Sequence, residues 1–166
     1  KSRRTEGDWM SEVMPPPRIM IVEARFYEEI ADEMVAGAIA ALELANAEFE
    51  RFPVPGAFEI PAAVKFAVKA MEIDETRQRF NGYVTLGCVI RGETTHYDYV
   101  CGESARGLMD LANRYSLAIG YGILTCENRE QAWARASRDC GDKGAAAANA
   151  CLDMLRMKSG FGLYPR

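Results

Sequence analysis

The sequence has little of several things, and each shortage excludes a class of protein. In 166 residues there is one histidine, His96. The five cysteines, Cys88, Cys101, Cys126, Cys140 and Cys151, are odd in number, and no two stand at CxxC spacing. A disulfide framework and a structural zinc site are therefore unsupported, and a reducing, cytoplasmic setting is expected. No apolar run approaches the roughly 18 to 20 residues of a membrane span. There is no GxGxxG dinucleotide fingerprint. A basic stripe is missing as well. Twenty basic residues face 24 acidic ones, a net charge of −4, which argues against a nucleic-acid partner.

What is present suits one domain with a real core. Apolar residues make up 49% of the chain and both charge signs are plentiful, so it reads as globular rather than disordered. Residues 1–17 differ in kind. Lys1 to Asp8 is polar and Pro15-Pro16-Pro17 is stiff polyproline. The segment lacks the apolar centre of a secretory signal. Starting at lysine rather than methionine, the chain is expected either to be trimmed or to carry an expression-derived start. Residues 1–17 read either as a disordered tail or as an arm whose Trp9, Met10, Val13 and Met14 pack on a neighbouring subunit.

From Arg18 to Lys158 strands and helices alternate. Ile19 to Val22 is a short apolar strand. Ile30, Met34, Ala38, Leu42 and Ala45 recur at steps of three or four, the buried face of a helix. Glu48 to Phe52 is a weak second strand, stopped by the turn Pro53-Val54-Pro55-Gly56. Ala57 opens a helix to about Met71, with Pro61 near its first turn. Ile73 to Arg79 is a charged loop. Tyr83 to Ile90 is a buried strand. Gly92 breaks it, and Thr94 or Thr95 is placed to cap a helix running to Tyr115. Leu117 to Leu124 is a fourth strand, followed by a helix from Glu127 to about Arg138. The last helix spans Lys143 to Lys158, with Ala147, Ala150, Cys151, Met154 and Leu155 on one face. Ser159 to Arg166 is a tail expected to fray. The alternation predicts a single α/β domain with a parallel sheet and helices on both faces.

The chemistry-bearing residues follow strand ends. Phe26 follows the first, Phe58 and Glu59 the second, Thr94 and His96 the third. In an open parallel sheet those ends share one edge, where ligands bind. A helix start with free N–H groups suits an anion, and an imidazole beside it moves protons near neutral pH. On local grounds alone Phe26 is as readily a core residue. Cys88 is a small packing residue, and Arg135 and Lys143 are solvated charges.

Four stretches together carry a resemblance: Val54 to Pro61, Gly87 to Tyr99, Gly122 to Asn128, and Asp142-Lys143-Gly144. In order and spacing they resemble the lumazine synthase family, over about Arg18 to Lys158. The fold so implied is a three-layer α-β-α sandwich, flavodoxin-like, on a four-stranded parallel sheet. The implied reaction condenses 5-amino-6-ribitylaminouracil with 3,4-dihydroxy-2-butanone 4-phosphate. Phosphate and water leave, and 6,7-dimethyl-8-ribityllumazine forms, the penultimate step to riboflavin. No metal and no cofactor is implied.

The resemblance assigns roles. His96 is the general acid and base, and Phe26 stacks on the pyrimidine. Ala57, Phe58 and Glu59 hold the ribityl chain. Cys88, Val89 and Ile90 meet the pyrimidine edge through backbone groups. The Glu93 backbone, the Thr94 hydroxyl and the Arg135 guanidinium bind phosphate, with Arg91 a second cation for it. Lys143 stands near the site. Tyr121, where the family often has phenylalanine, is supplied by the adjacent subunit. Tyr27 replaces a frequent asparagine. The implied assembly is a homopentamer with sites between adjacent subunits. The short loop Ser137 to Asp142 resembles shell-forming members of twelve pentamers, and the shell stays open. Riboflavin synthase is the implied functional partner, with no nucleic acid and no membrane. Two rivals remain. A flavin- or nucleotide-binding module would need a phosphate loop that Glu23 to Tyr27 does not supply. An inactive paralogue would keep the shell and bind lumazine or flavin.

Overall fold

The structure is a computed structural model and describes residues 15–164. Its centre is a four-stranded parallel sheet in the order β2-β1-β3-β4. The strands are β1 (Arg18–Ala24), β2 (Glu48–Val54), β3 (Gly82–Ile90) and β4 (Ala118–Cys126). β1 and β3 are apolar without alternation because both of their faces are covered. β2 is the half-exposed edge, which explains its weak sequence signal.

Helices α1 (Glu28–Leu44), α4 (Arg129–Ala136) and α5 (Lys143–Gly160) lie on one face. Helices α2 (Ile60–Ile73) and α3 (His96–Tyr115) lie on the other. Two cores result. One holds Ile19, Ile21, Met34 and Leu152, and the other holds Met20, Val22, Ile60 and Tyr83. The three-layer α-β-α sandwich is the fold that the alternation predicts.

Several boundaries differ for physical reasons. Pro53 does not end β2. It pairs with Glu23, which an edge strand permits because one side of its backbone has no partner strand. Only Pro55-Gly56 turns. A 3-10 turn, Ala57–Glu59, then leads into α2, with Pro61 in its first turn. β4 continues to Cys126, and α4 stops at Ala136, where Ser137 leaves helical geometry. On α5 the expected buried Ala150 and Met154 are exposed. The buried face runs through Gly144, Ala147, Ala148, Cys151, Leu152 and Leu155. That face is set by close approach: a β-carbon on Gly120 would overlap the Ala147 carbonyl, and one on Gly144 would overlap that of Met34. Small residues thus turn α5 toward β4 and α1.

Residues beyond Lys158 are not frayed as far as they are described. Helix α5 reaches Gly160, and buried Tyr164 donates its hydroxyl to the Pro15 carbonyl at 2.7 Å. Pro17 is also tied in, its carbonyl accepting from the Glu48 N–H at 2.9 Å. The arm side chains Trp9, Met10, Val13 and Met14 lie outside the described residues. No helix among the described residues is long and apolar enough to cross a membrane.

Candidate active site

The strand order reverses between β1 and β3. The chain leaves β1 toward β2 and leaves β3 toward β4, so their carboxyl ends diverge and leave a crevice. A cleft of about 440 Å³ opens there. Phe26 and Tyr27, after β1, form one wall, and Gly56 to Glu59, after β2, form the next. Cys88, Val89 and Ile90 are the floor; Gly92, Thr94, His96 and Tyr97 close the far side.

Each part is held by local chemistry. The Arg25 N–H donates to the Val54 carbonyl at 3.0 Å, tying the end of β1 to the end of β2 just before Phe26. Arg25 also pairs with Asp32 at 2.7 Å. Buried Glu23 accepts two bonds from Arg51, both at 2.8 Å, so its charge is compensated. Phe26 is 71% exposed and Phe58 58% exposed. Neither is a core residue, and both offer flat apolar surface to a ligand. The Phe26 ring meets Tyr27 edge to face, with centroids 4.9 Å apart.

The floor thiol is inert. Burial, and then the neighbouring Cys126, push the Cys88 pKa up to about 12. At neutral pH it is a neutral packing group rather than a nucleophile. Burial likewise raises the Tyr27 and Tyr97 hydroxyls, which stay protonated and able to donate.

His96 is the first residue of α3 and is exposed on the cleft. The expected side-chain cap is not made in the usual way. Thr95 sits at the cap position in helical geometry, which points its hydroxyl away from the next N–H groups. The Thr94 hydroxyl reaches only the His96 N–H, at 3.4 Å. The Asp98 N–H donates to the Thr95 carbonyl at 3.0 Å, so in the first turn of α3 it is the Tyr97 N–H, with the weakly bonded His96 N–H beside it, that keeps capacity for an anion.

Arg91 is already engaged. Its Nε donates to Glu127 at 3.0 Å, its Nη1 to Asp98 at 3.3 Å, and its guanidinium lies 4.2 Å from the centre of the Tyr97 ring. It bridges the start of α3 to the β4–α4 connection and does not stand free for phosphate.

The remaining expected site residues lie apart. Tyr121, Arg135 and Lys143 line a second concavity of about 340 Å³, between β4, α4 and α5. Arg135 donates to the Gln131 carbonyl of its own helix at 3.0 Å. Lys143 begins α5 directly after Asp142, whose carboxylate caps that helix by accepting from the Ala145 N–H at 3.3 Å. Glu93 is exposed on the β3–α3 connection and lines neither hollow. A single chain thus gathers Phe26, Ala57, Phe58, Glu59, Cys88, Val89, Ile90, Thr94 and His96 in one cleft. It holds Tyr121, Arg135 and Lys143 in another.

Tyr97, to which sequence reading assigned no role, is half-buried and part of the cleft wall. The cation at Arg91, six positions earlier, whose guanidinium lies over its ring, is the signal that could have found it. Among the described residues, no group of three or more histidine, cysteine or acidic side chains is placed to hold a metal ion.

Fold and cleft together define a doubly wound α/β protein. It takes a small molecule at the sheet's switch point, between aromatic rings and beside a histidine at a helix start. The sequence model of the 6,7-dimethyl-8-ribityllumazine synthase family matches residues 16–159. The chain is 55% identical over 147 residues to 6,7-dimethyl-8-ribityllumazine synthase 1 of Rhizobium meliloti, covering 89% of this chain and 95% of that one. It is 52% identical over 149 residues to the 6,7-dimethyl-8-ribityllumazine synthase of Agrobacterium fabrum, covering 90% and 99%. The protein of that name from Bartonella tribocorum is 50% identical over 153 residues, covering 92% and 97%. The chain belongs to the 6,7-dimethyl-8-ribityllumazine synthase family.

Proposed function

We propose that the protein condenses 5-amino-6-(D-ribitylamino)uracil with 3,4-dihydroxy-2-butanone 4-phosphate to give 6,7-dimethyl-8-ribityllumazine, phosphate and water. The observation that carries this reading is the cleft itself. It sets an exposed Phe26 ring, the Glu59 carboxylate and His96 around one space at the strand ends. Phe26 stacks on the flat pyrimidine. Ala57, Phe58 and Glu59 hold the ribityl chain, with the carboxylate accepting from its hydroxyls. Cys88, Val89 and Ile90 meet the pyrimidine edge through their backbone. The pyrimidine amine attacks the ketone carbonyl and water leaves to form the imine. Phosphate is eliminated, and the ribitylamino nitrogen closes the second ring with loss of water. His96 gives and takes the protons these steps need. The Glu93 backbone, Thr94 and the α3 N-terminus receive the phosphate.

Arg135, Lys143 and Tyr121 complete the site from an adjacent copy. Their separation from the cleft on one chain supports this arrangement. We infer a homopentamer, for which the family resemblance is the support. Closure of twelve pentamers into an icosahedral capsid is read by light scattering. Five free cysteines favour a cytoplasmic setting. Riboflavin synthase is the enzyme that would consume the product.

The test mixes purified protein with the two substrates and follows lumazine fluorescence. Product formation well above the uncatalysed rate is expected. Substrates that bind without any acceleration would overturn the reading.

A further inference from the structure

Among the described residues, one buried side-chain polar atom has no hydrogen-bond partner: the hydroxyl of Tyr83. Leaving a buried hydroxyl unpaired destabilises a fold, and phenylalanine would fill the same space without that cost. Tyr83 is 1% exposed, near the amino end of β3. The cleft floor ends at Ile90, seven residues further along the same strand, roughly 20 Å away. Nothing in the reaction proposed above uses this end of the sheet.

Tyr83 forms part of the wall of a separate cavity of about 210 Å³. Its polar lining is unevenly committed. Glu72 is held by Lys69 at 3.1 Å, and the Asn81 side-chain oxygen accepts from the Arg18 N–H at 2.8 Å. Lys158 donates one bond to the Ser116 carbonyl at 2.7 Å and keeps its remaining N–H groups. Arg79 makes no hydrogen bond or ion pair with any described residue. Burial pushes the Tyr83 pKa up to about 12, so its hydroxyl is a neutral donor. Two cations and two phenols therefore line a space whose single carboxylate is already paired, and of the two hydroxyls that of Tyr115 already accepts from Lys65. The rest of the lining is apolar, with Val68, Met71, Phe80 and Leu117.

We propose that this amino-edge cavity is a second ligand site, which takes a small carboxylate with a flat apolar body. Arg79 and Lys158 would meet the carboxylate and the Tyr83 hydroxyl would donate to it. The aromatic and aliphatic wall would cover the body.

The probe is 4-fluorobenzoate, added to the assembled protein and followed by fluorine NMR and by thermal melting. Saturable binding with a rise in Tm is expected, and His96→Ala should bind equally well. Arg79→Gln should weaken binding at least tenfold. Tyr83→Phe should melt at or above the wild-type temperature without ligand and lose most of the benzoate-dependent rise. No saturable binding would overturn the proposal, as would binding unchanged in both variants. A Tyr83→Phe protein that melts lower while keeping the benzoate response would show that the hydroxyl serves the fold through water, and would also overturn it. An equal Tm rise with inorganic phosphate would show that any small anion suffices, and would overturn the proposal of a flat-bodied carboxylate.

Discussion

The Asp142 carboxylate occupies the space where a β-carbon on Gly37 would stand. Gly37 is buried in the middle of α1, and Asp142 caps α5 from a left-handed backbone conformation, φ 41°. The glycine is thus the seat of the cap, and the cap fixes the first residue of α5, Lys143. Gly37→Ala must push the carboxylate off the Ala145 N–H. Overlap and lost cap together should cost about 1–3 kcal/mol, read by chemical denaturation. If Lys143 acts in the site, substrate KM should rise as well. An unchanged midpoint would mean that the cap survives by moving elsewhere.

How much of this was legible in sequence depends on the range of the interaction. The strand, turn and helix from Tyr83 to Tyr115 announce themselves through β-branched residues, Gly92 and the threonines, all local signals. The buried face of α5 did not. Ala147 and Ala150 look alike in an alanine-rich helix, and the choice is made by Gly120 and Gly144, which admit one side only. Pro53 misled because a proline's effect depends on whether its strand lies at an edge, a fact of sheet order. Arg91 read as a second cation for phosphate, since its pairing with Asp98 in the first turn of α3 and with Glu127 on the β4–α4 connection shows only in the fold. Strand ends gave the cleft. They could not show that Arg135 and Lys143 face another hollow, because a side chain's direction is set by the packing of α4 and α5.

His96 carries the proton work in the proposed mechanism and is exposed, with only a long bond at its backbone N–H. Removing its imidazole should leave folding intact. His96→Ala is expected to lower kcat by about 10² to 10⁴, with an unchanged circular dichroism spectrum and Tm. A rate within twofold of wild type would take the histidine out of the chemistry.

The thiols should separate by burial. Cys140 is exposed, whereas burial pushes the pKa of both Cys88 and Cys151 up to about 12. At pH 8 iodoacetamide should label Cys140 first and leave Cys88 and Cys151 protected in the folded protein. The same shifts set the alkaline limit. A raised folded pKa contributes stability that is complete below the unfolded value, near 9. That contribution fades as pH climbs toward 12. Tm should therefore fall between about pH 9 and 11. Labelling of Cys88 as fast as Cys140 would show that the cleft floor is open and the burial argument wrong.

The division of site residues between two hollows makes the strongest demand on the assembly. If each site takes His96 from one copy and Arg135 from the next, the two defects need not fall in the same site. His96→Ala alone should be slow in turnover. Arg135→Ala alone should raise KM for the butanone phosphate more than for the pyrimidine, because its guanidinium meets the phosphate. Unfolding and co-refolding the two variants in equal amounts lets every site draw its halves at random. Roughly a quarter of the sites would then be whole, in a ring built by one repeated head-to-tail interface. Activity should rise from the level of either variant toward that fraction of wild type. Mixing the two without unfolding should leave it low for as long as the rings do not exchange copies. Sites built within one chain would give no recovery under either protocol, because every chain would then carry one broken site and no exchange could mend it.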